Sequence, residues 1–239
     1  MDAEYARAYA ELYRRHWWWR ARERVVLATL RELVPDGMPR RILDVGCGSG
    51  VFLGALAEFG EAEGVEPVAE LAAASLHRSR IHVTEFDGRF RAERPYDLVL
   101  MLDVLEHLPD PVVALRAARD ALAPGGKLVV TVPAFRWLWT SHDDLNHHRT
   151  RYTRSELAKE ARAAGFELLS ARYFFHWMVP AKLLVRAAER VGRAPAAPPR
   201  VPPAPINRLL YRLSVLEEGM FRRLRVPFGT SLLAVARAI

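Results

Sequence analysis

Apolar and polar positions along this chain fall into short blocks of two kinds, one with helical spacing and one of unbroken apolar runs. Within residues 1–34, Tyr5, Tyr9, Leu12 and Tyr13 recur at helical spacing, and a second helical stretch covers 20–33. The run 42–45 predicts a buried strand, 51–57 a helix and 62–65 another strand. A helix over 67–76 and a strand over 81–84 follow, and then the densest apolar run, Tyr96-Asp97-Leu98-Val99-Leu100-Met101-Leu102, predicts a fully buried strand. Pro111 opens a helix to 122, Pro124-Gly125-Gly126 breaks it, and 127–132 is a strand closed by Pro133. Thr153-Arg154-Ser155-Glu156 has capping-box spacing and starts a helix that ends near Gly165, after which 166–175 reads as a strand. Helices and strands alternating at this spacing argue an α/β protein built on a doubly wound, mostly parallel sheet.

The last third has a different texture. Residues 176–191 are apolar with Lys182, Arg186 and Arg190 interspersed, and 194–205 form a proline-rich linker, extended and semi-rigid. Ile206, Leu209, Leu210, Leu213, Leu216, Met220 and Leu224 then mark one helix face, opposed by Arg208, Arg212, Glu218, Arg222 and Arg223. A last strand covers 231–236. Such a basic amphipathic insertion can pack on its own sheet, cover a hydrophobic acceptor, lie on an anionic membrane or pair with a second subunit.

Composition narrows the class. A chain of 239 residues suits one α/β domain with a complete core. We divide it as a helical lid over 1–34, a core over 35–175, a helical cap over 176–227 and a last strand over 228–239. No run has the ~18 uninterrupted apolar residues of a membrane span. The acidic start Met1-Asp2-Ala3-Glu4 lacks the basic-then-apolar order of a signal peptide. The single cysteine, Cys47, excludes an internal disulfide framework and a cysteine-rich zinc site. The expectation is a cytoplasmic protein, with peripheral contact at the inner membrane face as an option for 176–227. A net charge of +7, carried mostly by arginine, favours nucleic acid, anionic lipid or an acidic substrate, or else only solubility.

The chemistry centres on Leu43-Asp44-Val45-Gly46-Cys47-Gly48-Ser49-Gly50. A strand opening through three alternate glycines into a helix makes a nucleotide-type binding corner, because glycine permits strained angles and close approach of a ligand to the main chain. Glu66, 20 residues after Gly46, ends a short strand where its carboxylate can accept hydrogen bonds from both hydroxyls of a ribose. The G-x-G-x-G spacing differs from the G-x-G-x-x-G of dinucleotide sites, and a plain βα turn is the structural alternative.

These residues resemble motif I of the class I S-adenosylmethionine-dependent methyltransferases, and 96–102 resembles their motif IV. The nearest pattern is that of the ubiquinone-type small-molecule O-methyltransferases and of bacterial relatives with a similar His16-Trp17-Trp18-Trp19-Arg20 stretch ahead of motif I. The resemblance covers about 41–175, with the last strand rejoining near 231. It implies a Rossmann-like seven-stranded sheet with an antiparallel last strand and S-adenosylmethionine as cofactor. It places Asp44, Gly46, Cys47, Gly48 and Gly50 around the methionine end, Glu66 on the ribose, and Pro67, Phe86 and Asp87 around the adenine. Leu102, Asp103 and His107 would close the site near the sulfonium, with Arg20 a partner for the methionine carboxylate.

The acceptor side begins after Pro133, at the carboxyl end of a strand where open α/β sheets bind ligands. His147 or His148, oriented by Asp143 or Asp144, is the expected general base, since imidazole titrates near neutrality. The alternative is that these histidines only order the loop. Asp103-x-x-Glu106-His107 with a later histidine resembles the divalent-metal site of some small-RNA 2′-O-methyltransferases. Glu106, His107 and His147 would be its ligands, while the alternative is that Glu106 and His107 cap the next helix. The expected activity is methyl transfer to an oxygen or nitrogen of a hydrophobic or aromatic small molecule, possible lipid linkage included. An RNA methyltransferase, or a non-catalytic binding protein of the same fold, is the alternative. Monomer and homodimer stay open.

Overall fold

The computed structural model describes residues 11–34, 38, 40–192, 199–224 and 226–239. Tyr5, Tyr9 and residues 194–198 of the proline-rich linker therefore lie outside the described residues. Seven strands form one sheet: β1 (Arg40–Val45), β2 (Gly60–Val65), β3 (Ile81–His82), β4 (Tyr96–Leu102), β5 (Leu122–Pro133), β6 (Phe166–Phe174) and β7 (Ser231–Ala238). Their order is β3-β2-β1-β4-β5-β7-β6. Five neighbouring strands run parallel, and β7 enters antiparallel between β5 and β6. The strand order reverses between β1 and β4, which places the ligand-binding crevice beyond the carboxyl ends of those two strands.

Alternation along the central strands explains why both faces are covered. On β4, Leu98, Leu100 and Leu102 join the cluster that contains Val25, Val26 and Leu30 of α1 (Trp17–Leu33) and Leu53 and Leu56 of α2 (Leu53–Leu56). Val99 and Met101 point the other way, to Leu115 and Ala118 of α4 (Pro111–Ala121) and Leu157 and Ala161 of α6 (Arg154–Ala163). β7 repeats the pattern, with Leu233 and Val235 on the first face and Leu232, Ala234 and Ala236 on the second. A strand buried on both faces reads as a continuous apolar run, as 96–102 does.

Element ends follow local chemistry. Asp110 caps α4 by accepting from the Val112 N–H, with Pro111 at the first helical position. Thr153 and Glu156 form the expected reciprocal capping box at α6. Three expectations need correcting. The helix expected over 67–76 is only α3 (Ala69–Ala73), because Val68 is still extended and Ser75 Oγ accepts from the His77 N–H. The strand expected over 81–84 stops at His82, because β2 ends at Val65 and offers Val83 and Thr84 no partner. The strand expected over 127–132 starts earlier, with Leu122 paired to Tyr96 across a register shift before Leu98.

After β5, α5 (Ser141–Leu145) precedes α6; α7 (Met178–Arg190) and α8 (Ala204–Phe221) then separate β6 from β7. The expected insertion is therefore two helices. α8 lies along α1: Asn207 Oδ1 accepts from the Trp17 N–H at 2.9 Å, and its Nδ2 donates to the Arg15 carbonyl at 2.8 Å. His16, between a helical stretch over 11–15 and α1, caps α1 by accepting from the Trp18 N–H.

Candidate active site

A cavity of about 370 Å³ opens beyond the carboxyl ends of β1, β4 and β5. One wall is the amino-terminal part of α1, with Trp17, Trp18, Trp19 and Arg22. Asp103, Glu106, His107 and His148 also line the cavity, with Met178 and Lys182 of α7.

Of the glycine corner, Gly46 and Cys47 line the cavity with Asp44, while Gly48 and Glu66 lie outside its lining. Gly46 has φ +70°, and a Cβ there would meet Val104 Cγ2 at 2.8 Å. Gly48 has φ +56°, and its N–H donates to Glu66 Oε2 at 2.9 Å, while the Val68 N–H donates to Oε1 at 3.0 Å. Each oxygen of Glu66 thus keeps a lone pair for a further donor such as a ribose hydroxyl. Burial pushes this carboxyl up, and the two N–H donors pull it back. Asp44, at the end of β1, is pushed up to about 7 by burial, with Arg22 acting against that and Glu66 adding to it. Cys47 faces the cavity, its thiol raised strongly by burial and by the charges of Asp44 and Glu66. Main-chain N–H groups, a left-handed turn and a seated carboxylate suit a ligand with polar hydroxyls, and so fit an adenosine-type cofactor.

Several expected cofactor residues stand elsewhere. Gly50 is a packing glycine whose Cβ would meet Ser75 Oγ at 2.8 Å and Ile81 Cδ1 at 2.9 Å. Pro67, Phe86 and Asp87 are not in the cavity wall: Phe86 packs on Phe90 and Asp87 is taken up by Arg89. Arg20 is a correction. It is exposed with its guanidinium over Tyr211, because one helical step turns it to the α8 side of α1. The arginine in the cavity is Arg22, 3.1 Å from Asp103 through Nε and Oδ2. Leu102 and Asp103 do line the cavity. Asp103 takes φ +57°, with its N–H on the Thr131 carbonyl and the Thr131 hydroxyl donating to Oδ1, a strained position at the mouth of β4.

On the acceptor side the two histidines separate. His147 has φ +57°, is exposed and stays outside the cavity wall, which removes it both as the base and as the third metal ligand. His148 lines the cavity, and Asp143 Oδ1 lies 2.9 Å from its Nδ1. Asp144 does not orient it, being exposed and accepting from Trp139 Nε1. Asp143 is fully buried and holds several groups at once: the Thr140 N–H at 3.0 Å, Arg151 Nη1 at 2.6 Å and Lys182 Nζ at 3.3 Å. Burial would raise its carboxyl, but His148, Arg151, Lys182 and the Thr140 N–H hold it far below the usual carboxylate range.

Glu106 and His107 do not cap α4, a role Asp110 fills. Instead Glu106 is buried with neither carboxylate oxygen hydrogen-bonded, and burial and the nearby Asp103 push it well up. Glu106, His107 and His148 each offer a donor atom within 4.8 Å of the others, so the candidate metal set contains His148 in place of His147. The His107 and His148 rings meet edge to face, 4.9 Å apart.

Residues 18–171 match the family described as methyltransferase domain. The chain belongs to this methyltransferase family. An Idiomarina loihiensis protein named ubiquinone biosynthesis O-methyltransferase is 38% identical over 108 residues, covering 39% of this chain and 42% of that protein. The Xanthomonas euvesicatoria protein of the same name is 29% identical over 170 residues, covering 61% and 71%. Among solved structures, an S-adenosylmethionine-dependent methyltransferase from Archaeoglobus fulgidus superposes with a TM-score of 0.55 at 18% identity, over 90% of this chain and 93% of that one. The fold of this methyltransferase is therefore the Rossmann-like one expected.

Sequence reasoning missed Arg22, Arg151, Lys182 and His142, all of which line the cavity. One signal existed: Arg22 falls on the stripe of Val25, Val26 and Thr29, where a buried arginine needs a carboxylate partner. Lys182 carries no comparable local signal, because its partner, Asp143, is 39 residues away in sequence.

Proposed function

We propose that this chain is an S-adenosylmethionine-dependent methyltransferase acting on an oxygen of a hydrophobic or aromatic small molecule, with His148 as general base. The observation that carries the reading is the Asp143–His148 pair set in a cavity that Gly46 and Cys47 of the glycine corner line. The names of the relatives support oxygen as the methylated atom. Division into lid, core, cap and last strand is part of the same proposal.

When bound, S-adenosylmethionine supplies an already electrophilic sulfonium methyl. Gly46, Gly48 and Glu66 would hold the cofactor, and Arg22 with Asp44 and Asp103 would set the charge beside it. Trp17 and Trp18 give the acceptor an apolar face and exclude water. Asp143 accepts from His148 Nδ1–H, which selects the tautomer with a free lone pair on Nε2. His148 takes the acceptor hydroxyl proton at Nε2. Alignment is the larger task, since fixed geometry replaces a bimolecular encounter.

Calorimetric titration with S-adenosylmethionine and S-adenosylhomocysteine, with NAD as control, tests the cofactor. Micromolar binding lost in Glu66→Ala and Gly48→Val supports the reading, and no binding of either sulfur ligand to the wild type sinks it. A second reading rests on the two unpartnered oxygens of Glu106. Glu106, His107 and His148 would hold a divalent cation and lower the acceptor hydroxyl pKa directly. Activity abolished by chelation and restored by magnesium or manganese would favour it.

For partners, a small-molecule acceptor is joined by an anionic membrane surface. Ile206, Leu209, Leu213, Leu216 and Met220 are exposed along α8 beside exposed Arg208 and Arg212, and no described helix is long and apolar enough to cross a membrane. Apolar side chains flanked by arginine suit a peripheral site at the inner face. Flotation with anionic but not neutral vesicles, weakened by salt, is expected; no flotation with either removes this part.

A further inference from the structure

α8 turns its polar side to the protein. Its buried residues are Ser214, Glu217 and Glu218, while Ile206, Leu209, Leu213, Leu216 and Met220 are exposed. Buried charges are a weak source of net stability, and a documented use for them is to fix one geometry. The two glutamates fix different things. Glu218 holds a side chain of β6, accepting from Arg172 Nη1 at 2.9 Å and from its Nη2 at 2.6 Å. Glu217 holds main chain at the corner between β6 and α7. Its Oε1 accepts from the His176 N–H at 2.8 Å and lies 2.8 Å from His176 Nδ1, and its Oε2 accepts from the Trp177 N–H at 2.9 Å. Trp177, the N-cap of α7, makes no side-chain cap of its own. A glutamate from another helix thus satisfies donors at the start of α7 and sets a negative charge at the positive end of its dipole. Burial works against that charge, and His176 with the two N–H groups pulls the carboxyl below its usual range.

The corner held in this way seats the tryptophan wall. Phe175, the residue before it, takes φ +57° with its ring buried. A left-handed phenylalanine is strained and persists only where its surroundings over-determine it, as the hydrogen bonds of Glu217 to the next two residues do. The Phe175 ring centroid lies 6.2 Å from that of Trp17 and 5.9 Å from that of Trp18. On the far side of the corner, the Trp177 ring lies 5.4 Å from Trp17, and its indole N–H donates to Ser214 Oγ, one turn before Glu217, at 3.2 Å. Met178, next along the chain, lines the cavity, as Trp17 and Trp18 do. We propose that Glu217 is a positioning residue for the acceptor side: without lining the cavity itself, it fixes the corner against which Trp17 and Trp18 are set. The proposal rests on the methyltransferase reading above, in which those rings face the acceptor. It gives the α7–α8 insertion a task in the site beyond covering it.

The test compares Glu217→Gln with Glu218→Gln, which removes a buried charge from the same helix but from a partner within β6. The full chain is labelled with 5-fluorotryptophan and read by fluorine NMR, with the Trp17 and Trp18 signals assigned from Trp17→Phe and Trp18→Phe. Both glutamine variants should lower Tm, because each leaves buried donors without their charged acceptor. Only Glu217→Gln should shift or broaden the Trp17 and Trp18 signals, and calorimetry should find S-adenosylhomocysteine affinity unchanged in both. Glu217→Asp keeps the charge with a shorter reach, so it should move the two signals less; it decides the matter alone if Glu217→Gln does not fold. Three results overturn the proposal: unmoved Trp17 and Trp18 signals in the Glu217 variants, equal movement in Glu218→Gln, or loss of S-adenosylhomocysteine affinity in a folded Glu217 variant. The last would make the corner a device for the cofactor. Failure of wild type to bind S-adenosylhomocysteine at all would instead overturn the methyltransferase reading, and the acceptor role of the wall with it, whatever the signals show.

Discussion

Replacing Asp143 by Asn isolates the charge on which the acceptor side is built. The side chain is fully buried, and Asn keeps its shape. The substitution leaves the Arg151 guanidinium, 2% exposed, without its 2.6 Å partner charge, and it puts an amide N–H₂ against donors on one side. Removing one member of a buried ion pair costs about 3–5 kcal/mol, because the other charge stays buried and uncompensated. For a domain of this size that is a fall of roughly 6–20 °C in Tm. Differential scanning calorimetry and urea unfolding at pH 7 would read it, with Arg151→Met Asp143→Leu as the double variant that removes both charges and recovers part of the loss. The pH dependence has a fixed sign. Asp143 is held below its unfolded value of about 3.9, so its stabilisation is complete above that pH and disappears as pH falls below it. Wild type should therefore lose stability more steeply than Asp143→Asn below pH 4. A loss under about 1 kcal/mol at pH 7, or parallel acid profiles, would refute the argument that this carboxylate is the electrostatic anchor of the site.

Other outcomes follow from the same geometry. His148→Ala should lower kcat by about 10²–10⁴ with S-adenosylhomocysteine affinity intact, while His147→Ala changes neither; equal effects from the two variants would contradict the placement of the rings. Gly64→Ala sets a Cβ 2.4 Å from Cys47 Sγ and should cost about 1–3 kcal/mol, with Cys47→Ala in the same chain recovering much of it in thermal melts. The Cys47 thiol, raised by burial, should resist iodoacetamide at pH 8 in the folded protein and react once unfolded; fast alkylation of the native state would show the glycine corner to be open. Gly46→Ala, forced against Val104 at a left-handed φ, should weaken S-adenosylhomocysteine binding at least tenfold in calorimetry, and an unchanged Kd would remove Gly46 from the binding site.

What the sequence made legible was everything encoded over short distances. The continuous run 96–102 became a strand buried on both faces, and the capping box at Thr153 appeared as written. The glycine corner and Glu66 met through one hydrogen bond, as 18-residue spacing across a βα unit allows. Errors came where tertiary neighbours decided the outcome. Whether 81–84 pairs fully depended on where β2 stops, not on its own residues. Adjacent histidines 147 and 148 could not be told apart, because a left-handed turn at His147 sends one ring to solvent and the next to Asp143. Arg20 and Arg22 were equally available by type; helical phase alone put the second in the cavity.

Asn207 gives the fold an order of assembly. Its side chain grips the main chain on both sides of His16, joining positions 190 and 192 residues apart. A ribosome delivers the glycine corner, Glu66 and β4 long before α8 exists. The nascent chain thus completes the cofactor corner first, while the tryptophan wall has no clamp until the last quarter of the sequence is made. A refolding experiment should see the same hierarchy, with protection of the β1 and β4 amides preceding the tryptophan fluorescence change. In kinetic language, the wall over the acceptor is the high-contact-order part of this enzyme and the last to become native.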